Sequence, residues 1–93
     1  MNQVSDQVAR LRASTSARVS AGRKAGGFTQ DEAAHHLHIS TDTYGRKERG
    51  EAAFSVDQIR MLEELFCLEE ADLYRADGPL RVRPRQISDG EPR

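Results

Sequence analysis

Residues 28–50, FTQDEAAHHLHISTDTYGRKERG, limit what this 93-residue chain can fold into more than any other stretch. Thr29-Gln30-Asp31-Glu32 has the form Thr-x-x-Glu, a capping box. In it the hydroxyl accepts from a free amide of the first turn while the glutamate reaches back to the cap's own amide. Ala33, Ala34 and Leu37 then give a small apolar face at helical spacing. His38-Ile39-Ser40 follows as a turn, an apolar plug and an N-cap serine that restarts a helix. That second helix is expected from Thr41 to about Arg49, ended by Gly50. Its first residues are short and polar, with Arg46 about one turn further on, the layout of a helix whose start reads a groove.

A chain of this size holds one domain with short tails and builds a modest core. Apolar residues make up 37% and charged residues 31%, which suits a small helical domain with a wetted surface. No apolar run is long enough for a membrane span and no secretory signal is evident, so the expected setting is cytoplasmic. A lone cysteine agrees with that. Net charge is −1, but it is unevenly spread: residues 1–50 carry +3, residues 51–77 carry −6 and residues 78–93 carry +2. Binding to DNA depends on the charge at the contact face and not on the total, so the distribution permits a nucleic-acid partner.

Read in order, Arg23, Gly27-Phe28-Thr29-Gln30, Ala34, Ile39-Ser40 and Glu48-Arg49-Gly50 resemble the lambda-repressor-like helix-turn-helix family. That family includes Cro proteins, phage repressors and xenobiotic-response-element regulators. The likeness runs on through Phe54-Ser55 to Leu73. It implies an all-α, compact five-helix DNA-binding domain over residues 16–77, with an N-terminal helical extension at 1–15 and a short basic tail at 78–93. It also implies a structural ion pair between Arg23 and Glu48, and an inward-facing Tyr44. Gly22 stands where the family places a larger apolar residue, His38 where it places glycine, and Glu63 where it places alanine.

Outside that stretch, Val4, Val8 and Leu11 recur at helical spacing. Residues 1–15 then either continue into one helix reaching Lys24 or form a separate short helix before a cap at Ser16. Such an extension frays, packs on the core, or meets a second copy. Ser55-x-x-Gln58 opens a further helix with Val56, Ile59, Leu62, Leu65 and Phe66 as its stripe, and Leu68 and Leu73 lead into a short last helix. The sequence 80–87, LRVRPRQI, alternates apolar and basic residues, which suits a solvated tail, a strand or a basic arm. His35, His36 and His38 lack the further ligands of a familiar zinc spacing, so no metal and no cofactor is expected. Cys67 reads as a buried apolar or helix-end residue, with no catalytic arrangement around it.

The resemblance therefore implies a transcriptional regulator and not an enzyme, acting as a homodimer on double-stranded DNA. Thr41, Asp42, Thr43 and Arg46 are the candidate base contacts. Gln30, Ser40, Tyr44, Lys47 and Arg49 are the candidate phosphate contacts. Two alternatives stay open: an antitoxin that regulates its own operon and holds a toxin, or the same fold serving as a protein-interaction module.

Overall fold

The computed structural model describes residues 3–75 and 78–83, with side chains from Asp6 onward. Helix α1 (Gln3–Ala25) is continuous, so the separate short helix is not formed. Ser16 does not cap anything; its hydroxyl donates to the Lys47 carbonyl at 2.8 Å and ties α1 to the third helix. From Ser16 onward α1 packs into the body, with Ser16, Arg18, Val19 and Gly22 buried. Its first half extends beyond the body, and Asp6 to Leu11 are all exposed.

Helix α2 (Gln30–Leu37) begins at the expected capping box, with both reciprocal bonds between Thr29 and Glu32 in place. It ends because His38 turns left-handed, at φ 60, a conformation histidine tolerates better than most residues. Helix α3 (Thr41–Glu48) starts at Ser40, whose hydroxyl accepts from the Thr43 amide. It closes at Gly50, whose positive φ of 82 lets the Gly50 and Glu51 amides return to the Lys47 and Arg46 carbonyls. Helix α4 (Val56–Leu65) opens at the second capping box, Ser55 with Gln58. The apolar stripe is shorter than expected, since Val56 lies 63% exposed in the first turn and burial begins at Ile59.

The core gathers Val19, Ala33, Ala34, Leu37, Tyr44, Ile59, Leu62, Phe66, Leu68 and Leu73 from every element. Phe28 stacks obliquely on Phe66 and Tyr44 meets Phe54 edge-on, each at 5.8 Å between ring centres. Gly22 makes this possible. A methyl group there would lie 3.0 Å from the Phe66 ring and 3.4 Å from Leu68, so Phe66 fills the space a larger residue at 22 would take.

The expected five helices are four α-helices and a single 3-10 turn, Asp72–Tyr74, among the described residues. The chain cannot build a fifth α-helix here because positive φ values at Cys67 and Ala71 break it into short pieces. Buried charge organises the segment instead. Asp72 accepts from Arg75 at 2.8 Å and from the Arg81 amide at 3.0 Å, with the Arg18 guanidinium 3.3 Å away. Arg18 also donates to the carbonyls of Asp72 and Gly78. Glu63, 4% exposed, accepts from the Ala71 and Leu73 amides and so caps the turn. The alternating segment returns to its own chain, Leu68 and Val82 forming an antiparallel bridge. Cys67 is an exposed helix-end residue, not a buried one. The remainder of the tail, from Pro84, lies outside the described residues.

Among the described residues no group of side chains suits a metal ion, and no helix is long and apolar enough to cross a membrane. Replacing Gly22 with leucine should destabilise the fold by about 1–3 kcal/mol through overpacking against Phe66. A urea melt reads this, and an unchanged midpoint would show that Phe66 yields freely.

Candidate nucleic-acid interface

One carboxylate holds α3 in place. Glu48, at the last turn of α3, accepts from Arg23 Nε at 2.7 Å and Arg23 Nη2 at 3.1 Å, a two-pronged ion pair from α1. Gln30 Nε2 of α2 donates to it at 2.9 Å, and Tyr44, one turn back on α3, donates its hydroxyl at 2.7 Å. Arg23 also donates to the Phe28 carbonyl at 2.8 Å, so the turn between α1 and α2 joins the same node. Burial pushes the Glu48 carboxyl up, but the bonds from Arg23, Gln30 and Tyr44 outweigh it and leave the group below its ordinary value. The hydrogen bond to Glu48 chiefly raises Arg23. Burial first, and Glu48 second, raise the Tyr44 hydroxyl far above its usual range, so it remains a donor.

This node removes one residue, Tyr44, and one side chain, that of Gln30, from the expected phosphate set. Tyr44 is fully buried with its hydroxyl spent on Glu48, so it touches no phosphate. The Gln30 side chain is likewise committed, although the Gln30 and Asp31 amides remain without intrahelical partners at the start of α2. Others are partly engaged. Ser40 exchanges hydrogen bonds with Thr43, and Lys47 donates to the Ala53 carbonyl at 2.7 Å with its charge 6.0 Å from the Phe54 ring centre. Arg49 pairs with Glu51 at 2.8 Å. A methyl group on Gly45 would lie 3.2 Å from the Arg49 guanidinium, which therefore lies across that bare position.

The base-contact candidates divide in the same way. Thr41 donates its hydroxyl to Asp31 of α2, and Thr43 is half-buried under Ser40. Asp42 and Arg46 are exposed and, among the described residues, neither makes a hydrogen bond or ion pair through its side chain. They stand four apart and share one face of the helix. The outward surface of α3 thus carries one arginine and one aspartate beside an exposed Thr41, flanked by Arg49 paired with Glu51.

Sequence reasoning missed the parts of this arrangement that depend on the fold. Tyr44 and Glu48 are four apart on one helix, a spacing that signals contact. Nothing in sequence brings Asp31 to Thr41, or Arg18 to Asp72 over 54 residues. In comparisons with known proteins, no family model, no curated protein and no solved structure matches the chain.

Breaking the node should be costly. Arg23→Ala strands Glu48 with only Gln30 and Tyr44, and the loss should be about 3 kcal/mol, the low end for a buried pair. A thermal or urea melt checks it. Because folding lowers the Glu48 carboxyl from its ordinary 4.5, its contribution is complete above that pH and drains away as pH falls through the folded value. Glu48→Gln should therefore flatten the loss of stability below about pH 4.5, and an unchanged acid limb would remove Glu48 from the account.

Proposed function

We propose that the protein is a sequence-specific DNA-binding regulator of the lambda-repressor-like helix-turn-helix type, entering the major groove with α3. One observation carries the reading. Arg46 is an exposed guanidinium that, among the described residues, makes no hydrogen bond or ion pair and meets the Glu51 carboxylate only through a weak charge interaction, on the outward face of a helix whose inward face is pinned by Glu48. An arginine so placed donates a two-pronged bond to guanine O6 and N7, and Asp42, on the same face, accepts from cytosine N4. The unpartnered amides of Gln30 and Asp31 supply a phosphate contact at the positive end of α2. That contact positions the protein without reading sequence.

A second reading has an observation of its own. Glu51 neutralises Arg49, Lys47 is turned to a carbonyl, and Asp31 and Asp42 sit beside the candidate surface. A face so balanced has little general attraction for phosphate, as a protein-interaction module would. In the DNA-binding reading the same balance suppresses non-specific binding and leaves discrimination to Arg46. An antitoxin acting on its own operon would use the same surface, with a toxin bound elsewhere.

Binding-site selection followed by mobility-shift titration separates these. Arg46→Ala should weaken the selected site by about 1–3 kcal/mol and relax preference at one base position. Failure to retard any duplex, even at low salt, would favour the protein module. Glu51→Gln should act in the opposite sense by releasing Arg49. Affinity should rise across all sequences, and the salt dependence should steepen by about one phosphate contact. An unchanged slope would mean that Arg49 does not reach the backbone.

A further inference from the structure

Among the described residues, the first half of α1 is a helix with nothing to lean on. A helical arm of this length is marginal in water without a packed face. It nevertheless presents Val8 at 47% and Leu11 at 64% exposure, three residues apart on one side. Val4, Val8, Leu11 and Thr15 step along the sequence by four, three and four, the spacing of a seam between two helices. That line continues towards Gly22 and Val19, which are buried where α1 meets the body. The stripe has therefore outrun the body that covers its other half. Among the described residues nothing covers Val8 or Leu11.

We infer that a second copy of the chain covers this stripe, the two α1 arms lying antiparallel with Val8 of one facing Leu11 of the other. The dimer stands on α1 alone; its use on DNA rests on the reading given above. Charge permits the pairing. In this register Gln7 faces Ser14 of the partner and no described acidic or basic residue meets a like charge along the seam, with Asp6 and Arg10 outside it.

Geometry then says where the two α3 helices would stand. Contacts from α1 to α3 come from Ser16 and Arg23, centred about ten residues beyond the midpoint between Val8 and Leu11. At about 1.5 Å per residue, two such offsets separate the α3 helices by about 30 Å, close to the roughly 34 Å between half-sites one DNA turn apart. Direction agrees as well. At about 100° per residue, Ser16 and Arg23 lie about a quarter-turn round α1 from the Val8 and Leu11 stripe. The twofold axis of an antiparallel helix pair is perpendicular to the plane of the two helices. A face a quarter-turn from the seam therefore points along that axis in both copies, and both α3 helices face the same side. Three helical turns from each chain bury less than a standard interface, so the free dimer is weak and two half-sites strengthen it.

Sedimentation of the full chain at rising concentration tests the dimer, alongside Leu11→Lys, which should keep the wild-type circular dichroism because position 11 is 64% exposed. The wild type should associate reversibly at high micromolar concentration, and Leu11→Lys should remain monomeric. A monomeric wild type, or a Leu11→Lys chain that still dimerises, would overturn the proposal. Cross-linking tests the orientation, in a background with Cys67→Ser. Val8→Cys chains mixed with Leu11→Cys chains should oxidise to the mixed disulfide in preference to either like pair. Predominant Val8→Cys self-linkage would indicate a parallel pair and overturn the arrangement. A dimer that passes both tests but retards no duplex would leave this inference standing and contradict only the DNA-binding reading.

Discussion

The pose of α3 depends on the Glu48 carboxylate. Three helices and one turn meet at it: Arg23 from α1, Gln30 from α2, Tyr44 from α3 itself, and Phe28 through Arg23. The hydrophobic driving force is non-directional, and side-chain packing sets the angle between helices only to within about 15–20°. Charge-assisted bonds near 2.7 Å fix it more closely, because they lose strength quickly with distance and direction. The carboxylate is desolvated, yet its four hydrogen bonds more than offset that cost and keep it ionised. A small polar centre thus does what a larger protein achieves with a larger core.

The same device recurs at the other end of the molecule. Buried Arg18 and Asp72, with the partly exposed Arg75, form a second set, and Glu63 caps the turn that carries Asp72. Burial pushes the Asp72 carboxyl up, but the Arg81 amide, Arg75 and Arg18 together hold it below its ordinary value. This set fastens a segment too broken by left-handed residues to form an α-helix, and it brings the 81–83 segment back to pair with 67–69. Both ends of the buried half of α1 are therefore secured by arginines, Arg18 to the last turn and Arg23 to α3. The half before them extends from the body, and among the described residues nothing covers its Val8 and Leu11.

Much of this was legible in the sequence, and the reasons are local. The capping boxes at Thr29 and Ser55, the serine start at Ser40 and the stop at Gly50 each depend on a few adjacent residues, and all four formed as expected. The Arg23–Glu48 pair came from resemblance, since 25 residues separate its members. The left-handed His38 came from resemblance as well, since it stands where the family places glycine. Where expectation failed, tertiary partners decided. Tyr44 was expected inward, but its hydroxyl was also offered to phosphate until Glu48 claimed it. Arg49 and Lys47 looked free until Glu51 and the Ala53 carbonyl were seen beside them. Glu63 departs from the alanine of the family pattern, and its burial shows a cap for amides eight and ten positions away. Charge at a candidate surface is the quantity that sequence reports least well, because each pairing depends on where the loops return.

The central claim is that the Glu48 node turns one face of α3 outward, and that Arg46 and Asp42 on that face meet DNA. Amide chemical-shift mapping tests it most directly, by titrating a duplex recovered by site selection into labelled protein. The account predicts that shifts concentrate on Gln30, Asp31 and Thr41 to Arg46, while Ile59 to Glu64 of α4 stay still. Perturbation confined to α4 and the segment after it, with α3 unmoved, would contradict the account.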